Sequence, residues 1–406
     1  MQDAVPRLDP FLTPPWLHGT AALAHRAFAR PGLDALLRFA ARPAGDPGAL
    51  AALLLDCAAA HRLHFRAREA DALQAQALAR ACLFRVAPGE AATARPLRVL
   101  ALMAPGDLMV NTPLDFLTTH LDVRLDLLFV RPGEPLPDAV PDHDVAFFAV
   151  SESDPATLAR LAPLFRSWPR PALNDPARAA LLTRDGVARA VAGLPGCAAP
   201  QITPLARTDL RAEALSFPLL LRPHGSHAGD DLARLDGGED LARYLASVPD
   251  AQFYACPFID YRGADGQFRK YRIAFVAGAP FLCHMAVSSH WMVHYLNAGM
   301  TESAAKRDEE AAAMAAFDTG FARRHDGALA ALAGHFALDY VQIDCAELPD
   351  GRLLVFEADV AAIVHMMDPP DLFPYKPPQM RRVIAATSAS NTSRRPSGSS
   401  AQSICT

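Results

Sequence analysis

LDYVQIDCAELPDGRLLVFEAD, Leu338 to Asp359, reads as two apolar β-strands joined by a tight turn. An Asp-Gly dipeptide between apolar runs is typical of a β-hairpin. If Asp350 and Gly351 form a two-residue turn, Pro349 faces Arg352, and this register fixes the pairing of all later positions. A three-residue loop with a bulged glycine would shift the register by one residue, so the prediction depends on the type of turn.

Three carboxylates interrupt this otherwise apolar hairpin. In the predicted register Asp344 lies opposite Glu357, and Asp359 shares the face of Glu357 because it is two residues further along the strand. Carboxylates this close together repel one another unless a cation intervenes. Hard divalent ions bind carboxylate oxygens, and magnesium usually shares them with substrate phosphates. The hairpin therefore predicts a Mg²⁺ site formed by the three acids, in preference to a solvated end of a sheet.

Upstream of the hairpin, strands alternate with helices. LRVLALMA, VRLDLLFV and HDVAFFAV read as short apolar strands, and helical stretches such as DPATLARLAPLF lie between and after them. This alternation predicts a parallel sheet with crossover helices, and hence an α/β domain over 95–172. Asp107 and Asn111 follow the first strand, where a residue can face a ligand. Capping of the next helix is the commoner role at such positions, and we expect it here.

The two ends of the chain differ in composition from the middle. Residues 1–93 carry apolar and alanine-rich stretches at helical spacing, which predicts an all-helical, tetratricopeptide-like domain without catalytic residues. No second clear copy of the helix pair is present, so a helical cap or docking domain is the simpler interpretation. Residues 386–406 are rich in Ser and Thr and nearly free of apolar side chains, which predicts a disordered tail.

Two segments after residue 200 could bind an anion or a flat ring. The first segment, FPLLLRPHGSHAGDD, reads as an apolar strand that ends at Arg222 and continues into a loop with Gly225, Ser226 and Gly229. Small residues in such a loop let backbone N–H groups surround an anion. An ordinary hairpin turn would have the same pattern. AQFYACPFIDY reads as a strand that contains a proline, which predicts a sheet edge or a bulge. Unpaired backbone groups at such an edge could bond a heterocycle such as adenine.

RKYRIAFVAGAPFLCHMAVSSHWMVHYLNAGM, Arg269 to Met300, carries a pair of cations and a pair of histidines. Lys270 and Arg272 are two residues apart, so on a strand they share a face and could stabilise a phosphate or an oxyanion. His290 and His294 have the spacing of a helical zinc site, but the glutamate of the HExxH motif is missing. Packing or substrate contact is therefore the preferred interpretation of the histidines.

Composition excludes several functional classes. The 406 residues include 39 Lys and Arg against 44 Asp and Glu, a net charge of −5 that offers no basic face to nucleic acid. No signal peptide is recognisable at the N-terminus, and the apolar runs are too short for a membrane span. The 7 cysteines are scattered without C-x-x-C pairs, which predicts a reduced, cytoplasmic protein.

Taken in order, these segments resemble the ATP-grasp superfamily, which includes glutathione synthetase, D-alanine–D-alanine ligase and RimK-type glutamate ligases. A basic strand, a glycine loop, a hinge strand, a second basic strand and an acid hairpin ending in E-x-D follow one another between Pro171 and Met380. The resemblance implies an α/β (α+β ATP-grasp) fold over 173–385, preceded by the α/β domain at 95–172 and an N-terminal all-α domain. It also implies ATP and Mg²⁺ as cofactors.

The resemblance assigns roles to single residues. Arg222 stands where the family has a lysine that holds ATP phosphates, and Cys256 stands in the hinge, where a glutamate is usual. Asp344, Glu357 and Asp359 match the magnesium ligands, with Glu357 bridging two ions and Asp359 replacing an asparagine. The remaining matches are Gly225, Ser226 and Gly229 in the phosphate loop, Phe258 in the hinge, Arg184 or Arg189 near the first family lysine, Arg272 with Lys270 at the acyl phosphate, and Asn297 at the substrate.

The implied activity is ATP-dependent carboxylate–amine ligation through an acyl phosphate. Its substrates would be a small-molecule or peptide carboxylate and an amine, which the sequence does not identify, and a homodimer is possible. The departures at Arg222, Cys256 and Asp359 leave open a catalytically weak ATP-binding module whose helical domain docks a protein partner. A metal hydrolase using His290 and His294 is a further alternative. Neither nucleic acid nor a membrane is expected as a partner.

Overall fold

The computed structural model describes residues 3–29, 32–41, 47–89, 91, 93–226 and 229–393. The chain divides into two compact units. The first comprises the described parts of Met1–Ala180, Val360–Met367 and Arg381–Thr406, and the second comprises Leu181–Asp359 and Asp368–Met380. Both units combine β-sheets with helices, so the predicted α/β class is confirmed.

Helices and strands cover most of the described residues. The α-helices are α1 Thr20–Phe28, α2 Leu33–Ala40, α3 Pro47–Leu63, α4 Ala67–Leu78, α5 Leu114–Thr118, α6 Pro155–Ser167, α7 Pro176–Ala179, α8 Arg184–Val191, α9 Gly238–Ser247, α10 Ala304–Ala315, α11 Phe321–Arg324, α12 Asp326–Phe336 and α13 Lys376–Ser393. The strands are β1 Arg7–Asp9, β2 Trp16–Leu17, β3 Leu83–Val86, β4 Leu97–Met103, β5 Val123–Phe129, β6 Ala139–Pro141, β7 Val145–Phe148, β8 Ala172–Leu173, β9 Cys197–Ala198, β10 Thr203–Ala206, β11 Leu219–Pro223, β12 Ala233–Leu235, β13 Gln252–Pro257, β14 Phe268–Val276, β15 Ala279–Ser288, β16 Tyr340–Glu347 and β17 Leu353–Asp359.

A six-stranded sheet forms the centre of the first unit, in the order β2-β3-β5-β4-β7-β8. As the sequence predicts, β4 pairs in parallel with both β5 and β7, because these apolar runs are buried along nearly their whole length. Helix α6 begins after Asp154, whose carboxylate accepts a hydrogen bond from the backbone N–H of Thr157 at 3.0 Å. Leu158 and Leu161 of this helix belong to the same buried cluster as the strands.

Residues 1–93 are not all helical, contrary to the prediction. Helices α1 to α4 lie there, but β3 pairs antiparallel with β5 and therefore enters the six-stranded sheet. Strand β2 pairs beside it, and β1 pairs with β6 in a separate two-stranded sheet. These strands are only two to four residues long. A run that short carries no periodicity that separates a strand from the end of a helix.

Two sheets form the second unit. The antiparallel sheet β10-β13-β11-β12 carries Arg222 and the glycine loop, and Leu241 and Tyr244 of α9 belong to its buried cluster. The sheet β15-β14-β16-β17-β9 carries Lys270, Arg272 and the acid hairpin. The candidate site residues identified from the sequence therefore lie on both sheets.

The C-terminal helix α13 extends into the predicted disordered tail. The backbone is helical from Lys376 to Ser393, so the prediction of disorder is wrong for 386–393, and 394–406 lie outside the described residues. Buried Val383 and Ile384 anchor the helix before the polar stretch begins. Nowhere in the described part of the chain is a helix long and apolar enough to cross a membrane.

Candidate functional site

The acid hairpin forms, but its turn differs from the predicted one. The backbone N–H of Leu348 donates to the carbonyl of Arg352 at 2.9 Å, and the N–H of Gly351 donates to the carbonyl of Leu348 at 2.9 Å. The loop therefore contains three residues, and Gly351 takes the left-handed conformation with φ +83°. Pro349 does not face Arg352, so the predicted two-residue turn is wrong.

A second irregularity restores the predicted pairing of the acids. The register shifts by one residue just after Asp344, where Phe356 is the extra residue on the partner strand. Beyond this bulge Asp344 pairs with Glu357, and Gln342 pairs with Asp359. The three-residue turn shifts the register by one residue, and the bulge at Phe356 shifts it back. Asp344 and Glu357 are therefore cross-strand neighbours, as the sequence predicts.

Asp344 is held by two cations. Its side chain is 2% exposed, and Lys270 Nζ lies 2.8 Å from its Oδ2. Arg272 donates from Nε to Oδ1 at 2.7 Å and from Nη2 to Oδ2 at 3.0 Å. Burial raises the pKa of the Asp344 carboxyl, but the charges of Arg272 and Lys270 outweigh this effect and hold that pKa well below its usual range. The carboxylate is therefore ionised and already compensated.

Glu357 is paired with Arg184, the first residue of α8. Nη1 of Arg184 lies 2.8 Å from Oε2 of Glu357, and Nη2 lies 3.4 Å from the carbonyl oxygen of Ser226. Thr183 begins the helix because its hydroxyl accepts a hydrogen bond from the N–H of Gly186 at 3.2 Å. Arg184 thus links the acid hairpin to the glycine loop. The sequence offered it only as one of two candidates, because nothing local to α8 identifies a partner on β17.

Arg222 is a partly buried cation without a carboxylate partner. Its Nε donates to Oγ of Ser226 at 3.0 Å, and its Nη2 donates to the carbonyl of the same residue. In the described part of the chain, no Asp or Glu forms a salt bridge with it. Burial, with the nearby charge of Arg184, lowers the pKa of Arg222 to about 10, so it stays charged at neutral pH. The charges of Glu357 and Asp230 act on Arg222 from a distance, but neither acid forms a salt bridge with it.

The glycine loop follows β11, as the sequence predicts. Gly225 has open space beside its Cα, and Gly229 has φ +85°, a conformation that favours glycine. The hydroxyl of Ser226 donates to the carbonyl of Pro223 at 3.1 Å while it accepts the bond from Arg222. Ser226 therefore orients the guanidinium group. Residues 227 and 228 of this loop lie outside the described residues.

The hinge strand β13 lies inside its sheet with a regular register on both sides, so neither the predicted edge nor the predicted bulge is found there. β10 pairs with one side of it as far as Ala255, and β11 pairs with the other side as far as Pro257. Cys256 and Pro257 extend past the end of β10, where the missing N–H of proline costs no ladder hydrogen bond. Burial raises the pKa of the Cys256 thiol to about 11. The guanidinium carbon of Arg234 lies 4.3 Å from the ring centre of Phe258.

Asn297 and the two histidines lie in an irregular segment after β15. Oδ1 of exposed Asn297 accepts a hydrogen bond from the backbone N–H of His294 at 3.1 Å and so caps the short 3-10 helix Tyr295–Asn297. The chain bends around His290 and is extended at His294. The four-residue spacing therefore does not place the two rings on one helical face, and the geometry of a helical zinc site is absent.

A buried acid that the sequence did not indicate anchors this irregular segment. Glu310 is 0% exposed, and its Oε2 accepts hydrogen bonds from the hydroxyls of Tyr295 and Tyr375, both at 2.7 Å. Its Oε1 accepts the backbone N–H of Met285 at 3.0 Å, and Lys376 Nζ lies 3.9 Å away. Burial raises the pKa of the Glu310 carboxyl. These partners are far apart in the chain, so spacing gives no signal for the cluster.

Magnesium does not fit the acid hairpin in this arrangement. Both oxygens of Asp344 accept hydrogen bonds from Lys270 and Arg272, and Glu357 is paired with an arginine. Over the described ranges, no group of three His, Cys, Asp or Glu side chains could hold a metal ion. Metal binding by Asp344, Glu357 and Asp359 therefore stays a prediction, and it requires Lys270 and Arg272 to release Asp344.

Comparisons with known proteins give structural likenesses only. No protein-family profile and no curated protein sequence matches the chain. The crystal structure of D-alanine–D-alanine ligase from Bacillus anthracis complexed with ATP aligns with a TM-score of 0.43 at 13% identity, over 73% of this chain and 98% of that chain. VanG D-Ala:D-Ser ligase from Enterococcus faecalis aligns with a TM-score of 0.43 at 12% identity, over 72% and 99%.

A third likeness is to the crystal structure of a RimK domain ATP-grasp protein from Sphaerobacter thermophilus. Its TM-score is 0.38 at 17% identity, over 72% of this chain and 98% of that chain. Alignments with TM-scores this low establish neither a shared fold nor a shared activity. Membership of the ATP-grasp superfamily therefore stays a prediction from the sequence.

Proposed function

We propose that this protein is an ATP-dependent carboxylate–amine ligase that forms an amide through an acyl phosphate. The observation that carries the proposal is Arg222 beside a glycine loop, with no salt-bridged carboxylate among the described residues. A partly buried guanidinium group without a carboxylate in contact costs free energy that a bound anion offsets. Phosphate groups bind where arginine and backbone N–H donors converge. The nucleotide is the phosphate donor that such a reaction needs.

The proposed reaction has two steps. A substrate carboxylate oxygen attacks the γ-phosphorus of ATP, the bond to the β-phosphate oxygen breaks, and ADP leaves. The nitrogen of an amine then attacks the carbonyl carbon of the acyl phosphate, inorganic phosphate leaves, and the nitrogen loses a proton to give the amide. The protein has little covalent chemistry to perform, so positioning and charge stabilisation supply the catalysis.

The described side chains suggest a division of roles. Arg222 and Arg184 would hold the transferred phosphoryl group, with Ser226 fixing the direction of Arg222. Lys270 and Arg272 would stabilise the acyl phosphate from the neighbouring sheet. No step is assigned to a metal ion, since the acids do not fit one here. Three finer assignments belong to the same proposal: Cys256 and Phe258 beside the adenine, Gly225 and Gly229 around the phosphates, and Asn297 at the substrate.

An ADP-release screen tests the proposal. The full-length protein would be incubated with ATP, Mg²⁺ and a panel of amino acids, short peptides and polyamines, and ADP and amide would be measured together. We expect amide and ADP in equal amounts with at least one carboxylate–amine pair. Arg222→Met is expected to lose this activity, because the cation is removed while an unbranched apolar side chain replaces its aliphatic part.

Arg243→Met is the matched control. Arg243 has a side chain 77% exposed and pairs with Asp240 on the surface of α9, so its replacement removes the same charge from the same unit. It is expected to keep full activity. Equal activity in the Arg222 and Arg243 variants, or no ADP release with any acceptor together with no ATP binding, would overturn the proposal.

A catalytically weak ATP-binding module is the second candidate. The observation that favours it is the double salt bridge that occupies both oxygens of Asp344. This candidate predicts ATP binding by calorimetry without ADP release across the whole panel. Helices α1 to α4 would then dock a protein partner. A homodimer and a cytoplasmic location belong to either version of the proposal.

A further inference from the structure

Several polar residues on strands or just after them have no role in the proposed reaction. Asp107 and Asn111 follow β4, but neither caps α5 as the sequence predicts, since no side chain caps that helix. Asn111 instead exchanges two hydrogen bonds of 2.8 Å with the backbone of Ala104. Asp107 accepts the N–H of Met109 at 2.8 Å. Both side chains therefore hold a loop, whereas His284 of β15 has no such task.

His284 lies beside Arg272 on the face of the sheet that carries the candidate site. Strand β15 pairs His284 with Arg272, and β16 pairs Arg272 with Asp344 on its other side. Residues directly opposite one another on neighbouring strands project from the same face, with Cβ atoms about 4.5–5.5 Å apart. Arg272 and Asp344 bond to each other on this face. His284 is therefore next to a cation that the proposed reaction places at the acyl phosphate.

The imidazole ring of His284 is partly exposed and held by packing. It lies against the ring of Tyr295, with centroids 4.7 Å apart at 39°, and the hydroxyl of Tyr295 donates to buried Glu310 at 2.7 Å. Neither ring nitrogen of His284 is hydrogen-bonded to another of the described residues, and neither is completely enclosed. The ring is thus fixed in place while its nitrogens stay open to a bound molecule.

The surroundings of His284 keep its ring neutral. Burial and the charge of Arg272 hold the pKa of His284 well below its ordinary value. Lys376 and Lys270 act in the same direction, whereas Asp344 acts in the opposite one. A neutral imidazole is the form that can accept a proton. The negative charge of an acyl phosphate bound at Arg272 would favour the protonated ring, so the proton affinity of the ring rises when the intermediate is present.

Two acids of the same sheet are less suited to accept a proton beside Arg272. Both oxygens of Asp344 already accept hydrogen bonds from two cations, whose charges hold the pKa of this carboxyl well below its usual range. Glu357 is salt-bridged to an arginine of α8 and lies on β17, which β16 separates from β14. Neighbouring strands are about 4.8 Å apart, so His284 is closer to Arg272 than Glu357 is.

We propose that His284 accepts the proton that the amine loses in the second step of the ligase reaction. The lone pair of the amine nitrogen forms a bond to the carbonyl carbon of the acyl phosphate. The bond from this carbon to the phosphate oxygen breaks, and its electron pair leaves with inorganic phosphate. The proton passes from the nitrogen to a ring nitrogen of His284 and then to solvent.

The chemistry of the second step suits a weak base. Formation of the carbon–nitrogen bond places positive charge on the nitrogen, so its proton becomes far more acidic than in the free amine. A neutral imidazole next to the reacting carbon can therefore accept it. The inference rests on the proposed ligase function, because the acyl phosphate is its starting point.

Two nucleophiles separate proton acceptance from the formation of the acyl phosphate. Hydroxylamine is unprotonated at neutral pH and attacks acyl phosphates without help from a base. The full-length protein would be given ATP, Mg²⁺ and the carboxylates of the ADP-release screen, with either hydroxylamine or the amine that yields an amide in that screen. His284→Gln is expected to keep hydroxamate formation within about twofold and to lose amide formation by about 100-fold or more.

His335→Gln is the matched control. His335 lies on α12 of the same unit and is partly exposed, so the same change is made away from the candidate site. Both products are expected to form at the wild-type rate in this variant. Thermal unfolding shows whether each variant is folded, and His284→Asn provides a second, smaller replacement if His284→Gln is unstable.

The possible results distinguish the inference from the ligase proposal. Equal loss of amide and hydroxamate in a folded His284 variant, or unchanged amide formation, overturns the inference while the ligase proposal stands. Absence of both products with the wild-type protein overturns the ligase proposal, and the inference with it.

Discussion

Arg184 and Glu357 are separated by 173 residues in the sequence, yet their side chains meet at 2.8 Å. This contact joins the start of α8 to β17, and the same guanidinium group lies 3.4 Å from the carbonyl oxygen of Ser226 in the glycine loop. One side chain therefore connects three segments that the sequence presents separately. Replacing Arg184 therefore tests whether its charge serves ligand binding or the stability of the fold.

Arg184→Met is expected to weaken ATP binding with little loss of stability. The paired side chains are 22% and 35% exposed, and a pair this open contributes about 0–1 kcal/mol. Without Arg184, the carboxylate of Glu357 repels an incoming phosphate, so affinity should fall by about tenfold or more. Calorimetry with ATP measures this change. Arg189→Met, on the same helix with a side chain 70% exposed, is the control, and equal weakening in both variants would contradict the assigned role.

Asp344→Asn is expected to destabilise the second unit strongly. The acid is 2% exposed and compensates two cations, whose side chains are 15% and 26% exposed. Removal of its charge leaves Lys270 and Arg272 poorly compensated in a buried site, a change that costs about 3 kcal/mol. Urea denaturation measures the free energy of unfolding. Asp350→Asn removes the partner of Arg352 at the exposed turn and should cause no measurable change; similar stability of the two variants would refute the prediction.

His284 is expected to make stability depend on pH. Burial and the charge of Arg272, its cross-strand neighbour, hold the pKa of His284 well below its ordinary value. In the unfolded chain the ring binds a proton near pH 6.5, whereas the folded ring stays neutral, so stability is full above this pH and falls below it. The slope from this group is about 1.4 kcal/mol per pH unit. Denaturation of His284→Asn between about pH 7.5 and 5 should show a flatter profile, and an unchanged profile would contradict the prediction.

Tyr295→Phe is expected to loosen the segment after β15. The change removes one of the hydrogen bonds that satisfy buried Glu310, which costs about 1–3 kcal/mol. Amide hydrogen exchange should become faster over residues 291–300. Tyr271→Phe is the control, since no hydrogen bond of its hydroxyl is found in the described part of the chain. Faster exchange in both variants, or in neither, would show that the Glu310 contact does not hold the segment.

Much of the fold follows from local pattern in the sequence. Strands β4, β5 and β7 are near-continuous apolar runs, and such runs are buried in parallel sheets wherever helices cover both faces. The pairing of Asp344 with Glu357 was also predictable, although the turn that accompanies it was not. Strands β2 and β3 were missed because runs of two and four residues are too short to show the alternation that identifies a strand.

The environment of the candidate site was less predictable than its residues. Alternation along β14 places Lys270 and Arg272 on one face, but it does not tell whether they bind an anion or a neighbouring acid. The structure pairs both with Asp344, where the sequence led us to expect a metal ion. Proline in β13 predicted an edge or a bulge, yet the sheet accommodates Pro257 in a regular strand because β10 ends before reaching it. Partner choice depends on packing that sequence spacing does not encode.

The bulge at Phe356 also determines how the hairpin can change in length. Deleting one residue from the loop between Leu348 and Arg352 would leave a two-residue turn closed by the same pair, so Asp344 would still lie opposite Glu357. Deleting one residue of β17 between Leu353 and Phe356 would remove the bulge and would keep the same pairing. Natural variation in this region should therefore include single-residue deletions at the tip of the hairpin or on the turn side of the bulge.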